Sequence, residues 1–200
     1  MKNLFLLSLL LFNICQLKGQ QFDKQGAIKT KDGIMLYVNN GAESYTIKLK
    51  GKIELKNYPF IELNGNIIQL ITYPKHKFGQ LNEQILNTYF QWEHGYHETE
   101  LFKQKLRFTR KQIQYQNKRL QYWDFTPPKD PSIKLPVLKT CYLDFVHGET
   151  LYSFSFSSMD GNEKKAINLL TSLFESTTFY DKGIDIVKLQ EEIINAKNVN

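Results

Sequence analysis

The stretch Leu138–Phe174, LKTCYLDFVHGETLYSFSFSSMDGNEKKAINLLTSLF, predicts a β-hairpin followed by a helix. Leu138–Val146 is predicted as a strand, residues 147–150 as its turn, and Leu151–Ser157 as the returning strand. In the returning strand, aromatic residues alternate with serines, which predicts a buried aromatic face and a solvent-exposed hydroxyl face. The aromatic set is Tyr152, Phe154 and Phe156, and the serine set is Ser153, Ser155 and Ser157.

An amphipathic helix is predicted after the polar break at residues 160–162. Its apolar side chains recur at helical spacing. They are Ala166, Leu169, Leu170, Leu173 and Phe174. A hairpin with one apolar face and a helix with one apolar side each need an apolar partner. We therefore expect the two to pack together and to form the core.

The rest of the chain also favours hairpins over long helices. Short strands separated by Gly, Asn and Asp turns are predicted at residues 27–30, 34–38, 45–49, 60–63 and 67–73. A helix is predicted over Leu81–Trp92, with Gly95 ending or kinking it, and a further helical segment over Leu101–Leu106. The sequence then predicts a strand pair between Arg107 and Phe125, and a helix over residues 184–196. This order predicts a single α+β domain over residues 20–180, an antiparallel sheet flanked by helices, with residues 181–200 as a C-terminal helix or tail.

The first nineteen residues have the pattern of a secretory signal peptide. Lys2 precedes an apolar run from Leu4 to Cys15, and Gly19 offers a small residue for cleavage. The run is shorter than the roughly 20 apolar residues of a membrane-spanning helix. Because no second long apolar run follows it, the mature chain is predicted to have no transmembrane segment. A lipid anchor on Cys15 is the alternative, although Ile14 stands where a lipoprotein motif has a small residue. The sequence thus predicts a periplasmic or secreted protein.

The C-terminal third resembles the ending of PsbP-like proteins. The resemblance is carried by the segments HGETLYSFSFS and NEKKAINLLTSLFESTTF, over about residues 140–178. The order of elements over residues 45–177 fits the same family. The resemblance implies an antiparallel sheet between helices, and a role as a binding or assembly module in an extracytoplasmic compartment. It implies no catalytic residues for this chain.

A basic run between residues 103 and 119 contains no acidic side chain. Its cationic residues are Lys103, Lys105, Arg107, Arg110, Lys111, Lys118 and Arg119, and the interleaved aromatic residues are Phe108, Tyr115, Tyr122 and Trp123. Cations with aromatics are typical of surfaces that bind anionic polymers. Because export argues against nucleic acid, the predicted partner is an envelope protein or an anionic envelope component. The alternative is a solvated strand face with the aromatics in the core.

The densest group of metal-ligand types lies around Gly95. His94, His97 and Glu98 would share one face if the helix continued through Gly95, and Glu93 lies beside them. Two His residues at this spacing can bind one metal ion, but zinc requires further ligands, and the HExxH pattern is absent. The alternative interpretation is a solvated helix end.

No catalytic motif accompanies these groups, and no cofactor is predicted. The chain lacks a G-x-S-x-G elbow and Gly-rich phosphate loops. Asp124 and Asp144 lie in predicted strands, where we favour an outward position over burial beside a cation of the basic run. Cys141 is predicted to be a small buried hydrophobe rather than a reactive thiol.

Three functional hypotheses follow from the sequence. The first is an exported, non-enzymatic binding or assembly protein of the bacterial cell envelope, which binds through its basic hairpin. The second is a metal-binding protein or metal-dependent hydrolase built on His94 and His97. The third is a carrier of a small apolar ligand or lipid.

Overall fold

The computed structural model describes residues 24–40, 43–56, 59–129 and 137–198. The predicted signal peptide and Cys15 lie outside these ranges. None of the helices in the described ranges is long and apolar enough to cross a membrane.

Eleven strands are found in the described part of the chain. They are β1 Lys24–Lys29, β2 Gly33–Asn40, β3 Glu43–Lys50, β4 Ile53–Leu55, β5 Phe60–Leu63, β6 Asn66–Pro74, β7 Phe108–Tyr115, β8 Lys118–Phe125, β9 Lys139–His147, β10 Thr150–Ser158 and β11 Thr177–Tyr180. They form a four-stranded sheet in the order β1-β2-β3-β11 and a seven-stranded sheet in the order β4-β5-β6-β10-β9-β8-β7. All of these pairings are antiparallel, which confirms the predicted α+β class.

Helices lie against both faces of the seven-stranded sheet. The helices are α1 Asn82–Tyr96, α2 Glu163–Glu175 and α3 Ile186–Asn198, with a 3-10 turn at Lys75–Lys77 and a π-helical turn at His97–Leu101. One face of this sheet shares a core with α2 and the four-stranded sheet. The other face packs against α1. The predicted C-terminal helix is confirmed as α3.

The predicted packing of the β9–β10 hairpin against α2 is confirmed. Phe145 on β9 contacts Phe174 on α2, with 4.8 Å between ring centroids, and stacks on Tyr152 of β10 at 5.1 Å. The three aromatic residues of β10 are buried in the same core as the apolar side of α2. Asn162 begins this helix, because its side chain accepts a hydrogen bond from the backbone N–H of Lys165.

The prediction of a solvent-exposed serine face on β10 is wrong. Ser153 is 1% exposed and Ser155 is 4% exposed. The alternation is correct, but α1 crosses the sheet on that side and removes the serines from water. Their hydroxyl groups are accommodated by polar partners, since Ser153 donates to Asp144 and Ser155 to Gln69.

The predicted end or kink at Gly95 lies beside a change of helix type, because the α-helical part of α1 ends at Tyr96, one residue beyond Gly95. Helix α1 continues through Gly95 to Tyr96 and then widens into the π-helical turn. The further helix expected over Leu101–Leu106 is absent beyond that turn. Lys103 adopts a left-handed conformation, φ 52°, and the backbone N–H of Leu106 donates to the Glu98 carboxylate at 2.8 Å. The Leu106 N–H therefore bonds to a side-chain carboxylate instead of to a backbone carbonyl of a helix.

Replacing Gly95 with alanine is expected to raise the free energy of unfolding by about 0.5–1 kcal/mol, because glycine inside a helix loses more chain entropy than alanine. A Cβ at this position meets no atom within 4 Å. Urea denaturation measures the change. Gly65→Ala is the matched control, because its φ of 81° requires glycine although space is open, and it is expected to destabilise the protein. A loss of stability in Gly95→Ala would contradict the prediction.

Candidate functional site

A group of polar side chains lies buried between α1 and the seven-stranded sheet. We call it the interior polar cluster, and it comprises Tyr89, Glu93, His97, Gln121, Trp123, Tyr142, Asp144 and Ser153. The helical members are four residues apart and therefore share one side of α1 and its π-helical continuation. The strand members come from β8, β9 and β10 and lie on the face that α1 covers.

Asp144 is the centre of the strand side of this cluster. Its carboxylate accepts hydrogen bonds from the Trp123 indole N–H at 2.6 Å and from the Ser153 hydroxyl at 2.7 Å. Burial raises the pKa of Asp144 to about 7, although these hydrogen bonds and the positive charge of Arg110 act in the opposite direction. Asp144 therefore exchanges a proton near neutral pH.

Glu93 is the centre of the helical side. It accepts a hydrogen bond from the Tyr89 hydroxyl at 2.9 Å, and its other carboxylate oxygen lies 3.4 Å from Nε2 of His97. Nε2 of His97 also lies 3.0 Å from the Tyr142 hydroxyl. Burial raises the pKa of Glu93 to about 7 and lowers that of His97 to about 4, so the imidazole is neutral at pH 7.

The groups of the cluster that can bind or release a proton near neutral pH or below are the carboxyl groups of Asp144 and Glu93 and the imidazole of His97. All three side chains are less than 9% exposed, so a substrate has no direct access to them. Gln121 extends the network by donating to the Leu86 carbonyl at 3.0 Å. The cluster thus joins α1 to the central strands through hydrogen bonds, and this arrangement fixes the helix on the sheet.

The predicted metal ligands are not assembled into one site. His94 pairs with Glu98 at 3.3 Å on the outer side, whereas His97 points inward toward Glu93. In the described ranges, no three His, Cys, Asp or Glu side chains are grouped to hold a metal ion. The helix does continue through Gly95, as a shared face requires. The His94–Glu98 pair is nevertheless partly exposed, whereas the His97–Glu93 pair is buried, and the two pairs share no residue.

The basic run is divided between the two faces of the β7–β8 hairpin. On the α1 side, Arg110 donates to Asn87 at 2.8 Å and lies over the Phe90 ring, and Arg119 pairs with Glu83. On the α2 side, Lys111 pairs with Glu163, and Lys118 lies 4.9 Å from the Phe179 ring centroid. Alternation along the strands causes this division, so these four cations do not form one patch.

The cations of the connection before β7 have a different environment. Lys103, Lys105 and Arg107 are exposed, and Lys105 contacts Glu98 at 3.0 Å. No ion pair within the described residues involves Lys103 or Arg107. Trp123 is not part of this surface, because it is 0% exposed and stacks on Tyr142 with 3.8 Å between ring centroids. The prediction that Trp123 belongs to a binding surface is therefore wrong.

The favoured outward position of Asp124 and Asp144 is wrong, since both are at most 2% exposed. Asp124 accepts from Lys139 at 2.9 Å and from the Tyr122 hydroxyl at 2.8 Å. The partner of Asp124 thus comes from β9 rather than from the basic run. The prediction for Cys141 is confirmed, because its thiol is free and buried and burial raises its pKa to about 11.

Sequence reasoning did not identify the interior polar cluster. The available signal was the i, i+4 spacing of Tyr89, Glu93 and His97 next to the apolar positions of the same helix. A polar stripe beside an apolar one is normally exposed to solvent, and only the tertiary packing of α1 on the sheet places this one inside. No protein-family model matches this chain, and no curated protein matches it.

Proposed function

We propose that the protein is an exported, non-enzymatic binding or assembly module of the bacterial cell envelope, with a PsbP-like arrangement of sheet and helices. It binds an anionic envelope component, or an acidic partner protein, through the cationic connection at residues 103–107. The observation that carries the proposal is the exposure of Lys103 and Arg107, which have no acidic partner within the described ranges.

The connection is held in shape by Glu98. Its carboxylate accepts from the Leu106 backbone N–H and from Lys105, and these contacts hold the pKa of Glu98 at about 2. The carboxylate is therefore ionised over the physiological range. A loop fixed before binding loses less conformational entropy when it meets a partner, which supports a recognition role for these cations.

Replacing Lys103 and Arg107 together with alanine is expected to weaken binding to vesicles that contain phosphatidylglycerol. Each basic residue near an anionic surface contributes about 1 kcal/mol, so the double variant should bind roughly thirty-fold more weakly at low salt. The difference should shrink as added salt screens the charges. Vesicle co-sedimentation across a salt series measures both effects.

The matched control removes two exposed lysines elsewhere, in the double variant Lys182→Ala, Lys188→Ala. It changes the net charge equally but leaves the connection intact. Equal weakening in both double variants would reduce the effect to net charge and reject this surface. Unchanged binding of the Lys103→Ala, Arg107→Ala variant would reject this surface as well. Failure of the original protein to bind the vesicles at low salt would exclude an anionic lipid target.

A further inference from the structure

A groove of about 430 Å³ opens between the two sheets at one end of the molecule. Ala27 of β1 and Ile34 of β2 line it from the four-stranded sheet, and Ile53 and Leu55 of β4 line it from the seven-stranded sheet. Strand β4 is the last strand of its sheet. The β1–β2 hairpin therefore borders space beside the edge of the larger sheet.

The backbone of β4 presents hydrogen-bonding groups at this open edge. The Asn64 N–H donates to the Lys52 carbonyl at 2.8 Å, which makes these two residues a hydrogen-bonded pair. Such pairs alternate with non-bonded pairs along an antiparallel ladder. Glu54 therefore bonds with β5, whereas the N–H and C=O groups of Ile53 and Leu55 point away from β5. These are the groups that an added strand pairs with.

The charge at this end of the molecule favours an acidic occupant. Lys29 and Lys31 line the groove together with the single acid Asp32. Lys50 pairs in register with Gly33, beside the same turn, and Lys52 follows two residues later. The local excess of lysine attracts a negatively charged segment.

From these features we infer that the groove binds an extended peptide segment of a partner protein, which adds as a strand beside β4. Its alternate apolar side chains fill the space beneath the β1–β2 hairpin, its backbone bonds to Ile53 and Leu55, and an acidic residue meets the lysines. Strand addition of this kind takes affinity from the backbone and specificity from alternate side chains. The site is separate from the cationic connection.

The test selects binders from a displayed library of random peptides and then measures each selected peptide against two variants. Ala27→Trp fills the groove at an exposed position, and Leu55→Pro removes one outward N–H without removing a β5 hydrogen bond. Each is expected to weaken binding at least tenfold. Lys182→Ala, Lys188→Ala removes two exposed lysines outside the groove and is the control that should leave binding unchanged. Amide hydrogen exchange should show protection of Ile53 and Leu55 only in the bound state.

Three results would overturn the inference. The first is that the library yields no binder, and the second is that the selected peptides bind both variants as tightly as the original protein. The third is protection of the Ile53 and Leu55 amides in the free protein at high concentration, together with dimer formation, which would assign the edge to a second copy of the chain. If Leu55→Pro fails to fold, Ala27→Trp and the exchange data still decide the outcome.

Discussion

Replacing Trp123 with alanine is expected to lower the free energy of unfolding by about 3–5 kcal/mol, the cost of removing a large buried aromatic side chain. The indole is fully buried and lies parallel to the Tyr142 ring. It also donates a hydrogen bond to Asp144. The substitution therefore creates a cavity and leaves a buried carboxyl group with one donor fewer. Urea denaturation monitored by circular dichroism measures the loss.

The second tryptophan provides a matched control. Trp92 is 46% exposed on α1 and packs one side of its ring against Tyr73 and Phe78, so Trp92→Ala is expected to cost about 1–2 kcal/mol, less than Trp123→Ala. Trp123→Phe keeps most of the ring volume but loses the N–H, and it should fall between the other two variants. Similar losses at both tryptophans would contradict the burial of Trp123 under α1.

Replacing Asp144 with asparagine is expected to stabilise the protein increasingly as the pH rises from about 4 to about 7. In the unfolded chain the carboxyl group has its ordinary pKa of 3.8, whereas burial raises the pKa to about 7 in the fold. The native state thus binds more protons between these values, and the original protein loses stability as the pH rises. At 1.36 kcal/mol per pKa unit, the difference from Asp144→Asn should grow by about 4 kcal/mol across this range.

Asparagine suits this test because it can accept from Trp123 and donate to the Ser153 hydroxyl. Glu93→Gln should act in the same direction between pH 4.5 and about 7, by about 3 kcal/mol. His97 opposes both carboxyl groups, because its lowered pKa of about 4 adds stability above pH 6.5 that is lost as the pH falls toward 4. The measurement is therefore the difference between each variant and the original protein, taken by urea denaturation at each pH.

A pH-independent difference would contradict the raised pKa of Asp144. If the original protein instead loses stability relative to Asp144→Asn only below pH 4, the carboxylate is stabilised in its ionised form by its hydrogen-bond donors and by Arg110. Nuclear magnetic resonance titration of the two carboxyl carbons distinguishes these cases directly.

The local patterns of the sequence predicted most of the elements. Strict alternation in Tyr152–Ser157 predicted β10, and the apolar spacing of Ala166–Phe174 predicted α2. Glycine and asparagine turns predicted the hairpins around residues 31–33 and 64–65. These signals are local, because backbone periodicity and turn conformation depend on neighbouring residues. The same information fixed the α+β class and the packing of α2 on the β9–β10 hairpin.

Which face of each strand meets water was decided only by the tertiary structure. The alternation of β10 predicts that its serines and its aromatic residues lie on opposite faces, but it does not predict that α1 covers the serine face. The positions of Asp144 and Trp123 depend on the same helix. Likewise, strand alternation divides the basic run between two faces, but only the tertiary structure brings Glu83 of α1 to Arg119 and Glu163 of α2 to Lys111. The physical reason is that the burial of a strand face depends on elements distant in sequence, whereas the periodicity of a strand shows only that its two faces differ in polarity.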